Sequence, residues 1–199
     1  MPDPTDVRER IMDAVVGCVD RVGLSGFALE DVASAAGVGR ATIYRHFEGG
    51  RTQLVREAVT REVARFWEFL AEAVAGEPDL EGRLVSGLMV ARQRIAEYDL
   101  LQRLLAAEPD ELLPALLSSE PLLHQVLRDY LEQVLATSTL SDGVDVREAS
   151  DYLTRMLLAY IGTAGGWDMA DRAEVRRLVR TQFLAGIVAQ PIRDPPMRR

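Results

Sequence analysis

Apolar residues recur three and four positions apart along almost the whole chain, and no stretch alternates convincingly between apolar and polar. That period belongs to helices that bury one stripe, not to half-buried strands. An all-α fold is the expectation. Ile11, Val15, Cys18, Val19 and Val22 mark a first helix over about 6–22, stopped by Gly23. Leu29, Val32, Ala33 and Ala36 mark a short second one that ends at Gly37. A third is expected over about 39–46, and a long fourth from Gly49-Gly50 to about Ala75. Further helices are expected over 79–97, around Leu100–Leu105, from Pro109, from about 119 to 136, and over 146–163. Asp171 with Glu174 reads as a capping box opening a last helix that reaches Ile187.

Composition narrows the function. The 199 residues carry a formal charge of −8, so the chain cannot coat a polyanion or an anionic membrane over its whole surface. Every basic side chain is arginine, and lysine and asparagine are absent. This suits a GC-rich coding sequence and is no sign by itself of selection for phosphate. The lone Cys18 lies in an apolar helical pattern, which excludes an intrachain disulfide and predicts a buried thiol. The first ten residues hold no apolar segment of a secretory signal. The uncharged run from Met156 to Trp167 is too short to span a bilayer. A cytoplasmic protein with no membrane partner is expected. No nucleophile motif, phosphate loop or metal-ligand spacing occurs, so no catalytic residue, metal or cofactor is assigned.

The segment GVGRATIYRHFEGG, residues 37–50, stands apart. On a helical wheel Ile43, Tyr44 and Phe47 share one arc, while Thr42, Arg45 and His46 lie opposite. An apolar helix, a glycine turn and a short helix with a polar outer face form the pattern of a helix-turn-helix. Between Gly39 and Arg56 stand four arginines and one acid, Glu48, within an otherwise acidic chain. A local cationic patch is what phosphate contact needs. A solvated surface helix would carry the same charges.

The stretch FALEDVASAAGVGRATIYRHFEGGRTQLV, residues 27–55, resembles the N-terminal signature of TetR-family transcriptional regulators, with Ala33, Gly37, Val38, Thr42, Tyr44 and Phe47 at the family's spacing. The resemblance implies a helix-turn-helix DNA-binding domain at 1–50, a helical effector-binding and dimerisation domain at 51–190, and a flexible tail at 191–199. It implies that Arg40, Thr42 and Arg45 face the major groove, that Tyr44 and His46 meet phosphates, and that Arg51 makes a phosphate contact at the start of the fourth helix. Arginine forks and hydroxyl donors suit those roles chemically. The chain departs from the family pattern at Ala28 and Gly39, where capping hydroxyls are frequent, and at Gly49-Gly50-Arg51.

The same resemblance implies an effector pocket, for which Trp67, Met89, Tyr98, Gln102, His124, Tyr130, Tyr152 and Met156 are candidate lining. The many leucines suggest a hydrophobic or amphipathic small molecule. Leu153, Leu157, Tyr160, Ile161, Val175, Leu178, Phe183 and Ile187 present more apolar face than one thin domain would bury. They are expected to form a homodimer interface that sets two recognition helices on a palindromic operator. The expected function is a ligand-responsive regulator, more often a repressor than an activator. The alternative is an all-helical ligand-binding or scaffold protein that does not bind DNA.

Overall fold

The computed structural model describes residues 4–189, without the side chains of residues 4 and 5. The expected tail at 191–199 lies outside the described residues. Among the described residues ten α-helices follow one another: α1 Pro4–Val22, α2 Leu29–Ala36, α3 Arg40–His46, α4 Gly50–Val74, α5 Leu80–Glu97, α6 Asp99–Ala107, α7 Pro109–Leu117, α8 Glu120–Ala136, α9 Val146–Gly162 and α10 Arg172–Leu178. The chain is all-α, and the described residues contain no strand beyond one isolated antiparallel bridge between Leu140 and Val188. The last helix is shorter than its apolar pattern predicts. Its α-helical turns stop at Leu178, a π-helical turn runs over Val179–Phe183, and Gly186 at φ 79° turns the chain before Ile187. Ser141 N–H then donates to the Ile187 carbonyl at 2.9 Å.

The chain divides into two compact units. The first comprises Met1–Phe69 and Arg94–Leu123, and the second Leu70–Gln93 and His124–Arg199. Helices α4, α5 and α8 each contribute residues to both.

In the first unit, α1 packs on α2 and α2 on α3. Ile11, Val15, Cys18, Phe27, Val32, Ile43, Phe47 and Leu54 form one buried cluster, to which Leu104 and Leu112 also belong. Cys18 is the buried thiol that its setting predicts. Helix α2 lacks a side-chain cap because Ala28 has no acceptor. Asp31 supplies the other half of a capping box, accepting from the Ala28 N–H at 2.8 Å. Its far end closes with Val38 N–H to Ala33 carbonyl and Gly37 N–H to Ser34 carbonyl. Gly37 sits there at φ 63°, a conformation that costs a side-chain-bearing residue far more than glycine. Arg10 adds a 2.6 Å bond to the Ala36 carbonyl at the end of α2.

Two further devices hold this unit. Arg61 of α4, whose side chain is only 12% exposed, lies 3.0 Å from Glu9 and 2.9 Å from Asp13 of α1. Glu108, between α6 and α7, accepts from the Leu24 N–H at 3.0 Å, the Ser25 N–H at 2.7 Å and the Ser25 hydroxyl. It thereby satisfies the amides of the α1–α2 turn.

In the second unit, α9 and α10 are capped by aspartates. Asp145 accepts from the Arg147 and Glu148 amides, both at 2.9 Å, and Asp171 from Ala173 at 2.8 Å and Glu174 at 3.4 Å. Glu174 turns away from the reciprocal contact expected of it and meets Arg177 at 3.2 Å. Glu77, in the α4–α5 turn, accepts from the Ser86 hydroxyl and from Arg172 at 3.1 Å, which ties that turn to the start of α10. Helices α8 and α9 run side by side in opposite directions, with His124 3.6 Å from Asp151 and Glu132 3.9 Å from Arg147.

The Ser25 hydroxyl first, then the Ser25 and Leu24 amides, hold the Glu108 carboxyl below its ordinary value. A carboxyl lowered by folding adds stability above its unfolded pKa, and the gain is lost as pH falls through the lowered value. Glu108→Gln should therefore reduce the melting temperature at neutral pH, and the gap to wild type should narrow on acidification below the ordinary carboxylate range. Thermal unfolding of both proteins across that range checks this.

Candidate nucleic-acid interface

Helix α3 has seven residues and no side-chain cap at Gly39. A helix so short is unstable alone, so packing must hold it. Ile43 and Phe47 supply that packing, both 0% exposed. Their burial turns the rest of the helix outward. Arg40, Ala41, Tyr44 and Arg45 are exposed, while Thr42 and His46 are partly buried.

The candidate contacts differ in what they are committed to. Arg45 is exposed and makes no ion pair or hydrogen bond with a described residue through its side chain. Thr42 and His46 likewise make no side-chain hydrogen bond among the described residues; the His46 ring lies 6.5 Å from that of Phe47. Arg40 pairs with Glu30 of α2, and its guanidinium carbon lies 5.6 Å from the Tyr44 ring centroid. The Tyr44 hydroxyl, then Glu30, raise the Arg40 pKa still further, so its charge is permanent. Both members of the Arg40–Glu30 pair are exposed, and such a pair exchanges readily for another anion.

Tyr44 is 40% exposed and is not part of the core, contrary to its place on the apolar arc. Its ring edge lies beside Gly50, the first residue of α4, where an added Cβ would come within 3.6 Å. The hydroxyl stays outward, 3.3 Å from Arg40 Nη2.

Arg51 has a role that the sequence pattern does not disclose. It donates to the Leu24 carbonyl, and its guanidinium carbon stands 4.8 Å from the Phe27 ring centroid. Its charge is directed into the α1–α2 turn. Arg56, which the pattern left unassigned, is exposed on α4 and has no ion pair with a described residue. Arg8 was equally unassigned, yet it reaches α3 from α1, 2.9 Å from the His46 carbonyl.

The candidate effector-lining residues fall in both units. In the first, Trp67 is partly buried, Tyr98 has its hydroxyl pKa raised chiefly by burial, and Gln102 donates to the Ile95 carbonyl at 2.7 Å. Gln102 also lines an open depression of about 520 Å³ with Asp20, Asp99 and Arg103. In the second, Met89 and Met156 are partly buried, Tyr130 accepts from Arg83 at 3.3 Å, His124 lies 3.6 Å from Asp151, and Tyr152 donates to the Gln182 carbonyl.

The residues expected at the dimer interface lie on the inner sides of their helices. Leu153, Leu157, Ile161, Val175, Leu178, Phe183 and Ile187 are largely covered within the single chain, Ile161 and Ile187 keeping 8% and 9% exposure. Tyr160 keeps partial exposure, its ring 5.4 Å from that of Phe183. The exposed large apolar residues of α8 and α9 are others, Leu122 at 47%, Val126 at 49% and Tyr152 at 41%.

Residues 11–58 match the family model described as bacterial regulatory proteins, tetR family. No curated protein matches the sequence. The fold is similar to the TetR family repressor AlkX of Dietzia sp. strain DQ12-45-1b, implicated in biodegradation of n-alkanes, at 23% identity and a TM-score of 0.61, covering 86% of this chain and 92% of that one. It is similar to NalD of Pseudomonas aeruginosa, the secondary repressor of the MexAB-OprM multidrug efflux pump, at 22% identity and a TM-score of 0.53, covering 94% and 98%. It is also similar to the transcriptional regulator FadR of Bacillus subtilis in complex with stearoyl-CoA, at 18% identity and a TM-score of 0.53, covering 87% and 97%.

Arg45→Ala and Arg51→Ala should separate by their readouts. The first should leave the melting temperature unchanged. The second should lower it, because the Leu24 carbonyl loses a charged donor worth about 1.5–3 kcal/mol. Calorimetry on the two variants checks both.

Proposed function

We propose that this chain, which belongs to the TetR family of bacterial regulatory proteins, represses transcription by binding a palindromic operator as a homodimer. The observation that carries the reading is the pairing on α3 of a fully buried Ile43–Phe47 edge with an exposed, unpaired Arg45. Burial fixes the helix, and the outward face keeps a guanidinium that no described acid neutralises. Arg45 and Thr42 face the base edges, where an arginine fork suits a guanine. Arg40, Tyr44 and His46 contact the backbone, Arg40 by exchanging Glu30 for a phosphate. Arg56 joins them as an exposed cation on α4. Arg51 keeps its place in the head and adds only long-range attraction.

The dimer forms through the outward faces of α8 and α9, where Val126, Tyr152, Met156 and Ala159 are exposed or partly so. It sets the two recognition helices about 34–36 Å apart, or a multiple of that. The domain division is that expected from the sequence, a DNA-binding head over 1–50 and an effector-binding and dimerisation domain over 51–190. The effector is a long-chain hydrophobic molecule that weakens DNA binding. Supporting it are the stearoyl-CoA bound by the FadR relative and the Thr154 hydroxyl in α9. That hydroxyl is wholly buried and has no partner among the described residues, a polar point in an apolar interior that a ligand or a water would satisfy.

Binding to duplex DNA from the chain's own upstream region should weaken steeply with salt, with a slope near −0.9 per phosphate contacted. Replacing Tyr44 and Arg45 together should abolish it while sedimentation still shows a dimer. Val126→Arg with Tyr152→Glu should yield a folded monomer that binds the duplex weakly. Titrating stearoyl-CoA into the complex should release the DNA, by a coupling of about 1–3 kcal/mol. A stable wild-type monomer at micromolar concentration, or DNA binding indifferent to salt, contradicts the reading.

A further inference from the structure

Three side chains and two backbone groups close a ring of hydrogen bonds around the turn that follows α3. Arg8 donates from Nη1 to the His46 carbonyl at 2.9 Å, the last residue of the recognition helix. Its Nη2 is paired with Glu57 Oε2 of α4. The other Glu57 oxygen accepts from Gln53 Nε2 at 2.7 Å. Gln53 Oε1 in turn accepts from the Gly49 N–H at 2.7 Å, on the far side of the same turn. The Arg8 guanidinium carbon also lies 4.4 Å from the centroid of the Phe47 ring.

Every polar end in this ring meets its complement. The guanidinium donates twice, the carboxylate accepts twice, and the amide donates at one end and accepts at the other. This fixes the orientation of the Gln53 amide and leaves no alternative pairing. A side chain at Gly49 would press on Gln53 at 3.0 Å, so the turn and the α4 side chain are in close register. The ring holds the carbonyl end of α3 to α1 and the following amide to α4. None of its three side chains lies on the outward face that carries Arg45.

We infer that Arg8, Glu57 and Gln53 are positioning residues for operator recognition, setting the direction of α3 without touching DNA. This rests on the reading that α3 enters the groove. A helix of seven residues has one buried edge about which it can rock, and the ring removes that freedom at its carbonyl end. Base-edge contacts depend on aim more than phosphate contacts do, so losing the ring lowers operator affinity more than affinity for arbitrary duplex.

The test begins with a duplex selected by the wild-type chain from a random-sequence pool, and an unselected duplex as control. Arg8→Lys keeps the charge and loses the fork. Glu57→Gln puts two amide groups face to face, and Gln53→Glu puts two carboxylates together. The double variant Gln53→Glu with Glu57→Gln restores donor to acceptor at every link with unchanged net charge. Each single variant should bind the selected duplex about tenfold more weakly and the unselected one as wild type does, with the salt slope unchanged. The double variant should return to within about threefold of wild type.

Single variants that bind the selected duplex normally overturn the inference. So does a double variant that stays weak. Should Arg8→Lys weaken both duplexes equally and reduce the salt slope, Arg8 is a phosphate ligand and not a positioning residue. If the wild type enriches no duplex at all, the reading of α3 as a DNA-contacting helix falls, and the inference with it. Thermal unfolding accompanies each variant; where a single variant does not fold, the charge-neutral double variant still decides.

Discussion

Burial of Ile43 and Phe47 is the constraint on which the head depends. Neither length nor capping can hold α3, which spans seven residues and starts at an uncapped Gly39. Removing a buried phenylalanine costs about 3–5 kcal/mol, a large share of the 5–15 kcal/mol that keeps a domain folded. The same burial determines chemistry. With two apolar side chains pinned inside, the helix has no choice about which residues face out. The function proposed for the chain is thus a by-product of packing: the core selects the surface.

Arginine chemistry is the second thread. Charge counted along 39–56 suggests four cations presented together. In the fold Arg51 is turned to the Leu24 carbonyl and the Phe27 ring, and Arg40 is shared with Glu30 and Tyr44. Arg45 and Arg56 remain. Elsewhere in the first unit, Arg8 and Arg10, two residues apart on α1, each end a helix of the helix-turn-helix by donating to its final carbonyl, His46 for α3 and Ala36 for α2. A cation at a helix C-terminus also meets the negative end of the dipole. The guanidiniums of Arg8 and Arg51 do structural work that lysine could not match, because one planar fork serves a carbonyl and an acid or ring at once.

How much of this was legible follows from the range of each interaction. The helix boundaries were legible to within a residue or two at Gly23, Gly37, Gly49-Gly50, Pro109 and Asp171, because caps and turns are local. Apolar spacing also identified Ile43 and Phe47 as buried. The partners of long side chains were not legible: nothing in the spacing of Arg51, Arg8 or Glu108 announces contacts with residues 27, 38 and 83 or 84 positions away. The apolar stripes of α9 and α10 were legible as stripes, but spacing cannot say whether a neighbouring helix or a second chain covers them. The chain covers them itself. The end of the last helix was misjudged for a related reason, since Ile187 continues the apolar pattern while Gly186 has already turned the backbone.

The composition of the first unit bears on how an effector could act. The helix-turn-helix does not pack alone: residues 94–123 belong to the same compact unit, Leu104 and Leu112 are part of its buried cluster, and Glu108 holds the amides of Leu24 and Ser25. A ligand shifts a protein only by preferring one arrangement over another. An arrangement that moves α6 and α7 must either carry the α1–α2 turn with it or break its bonds to Glu108, the part-buried Leu24 amide losing a charged acceptor worth about 1.5–3 kcal/mol and the exposed Ser25 groups turning to water. Carrying the turn along is the cheaper course. The turn joins α1, and α1 bears Arg8 and Arg10, which hold the carbonyl ends of α3 and α2. Through the Glu108–Leu24 bond, a displacement of α6 and α7 would reach α1 and, by way of Arg8 and Arg10, the carbonyl ends of α3 and α2.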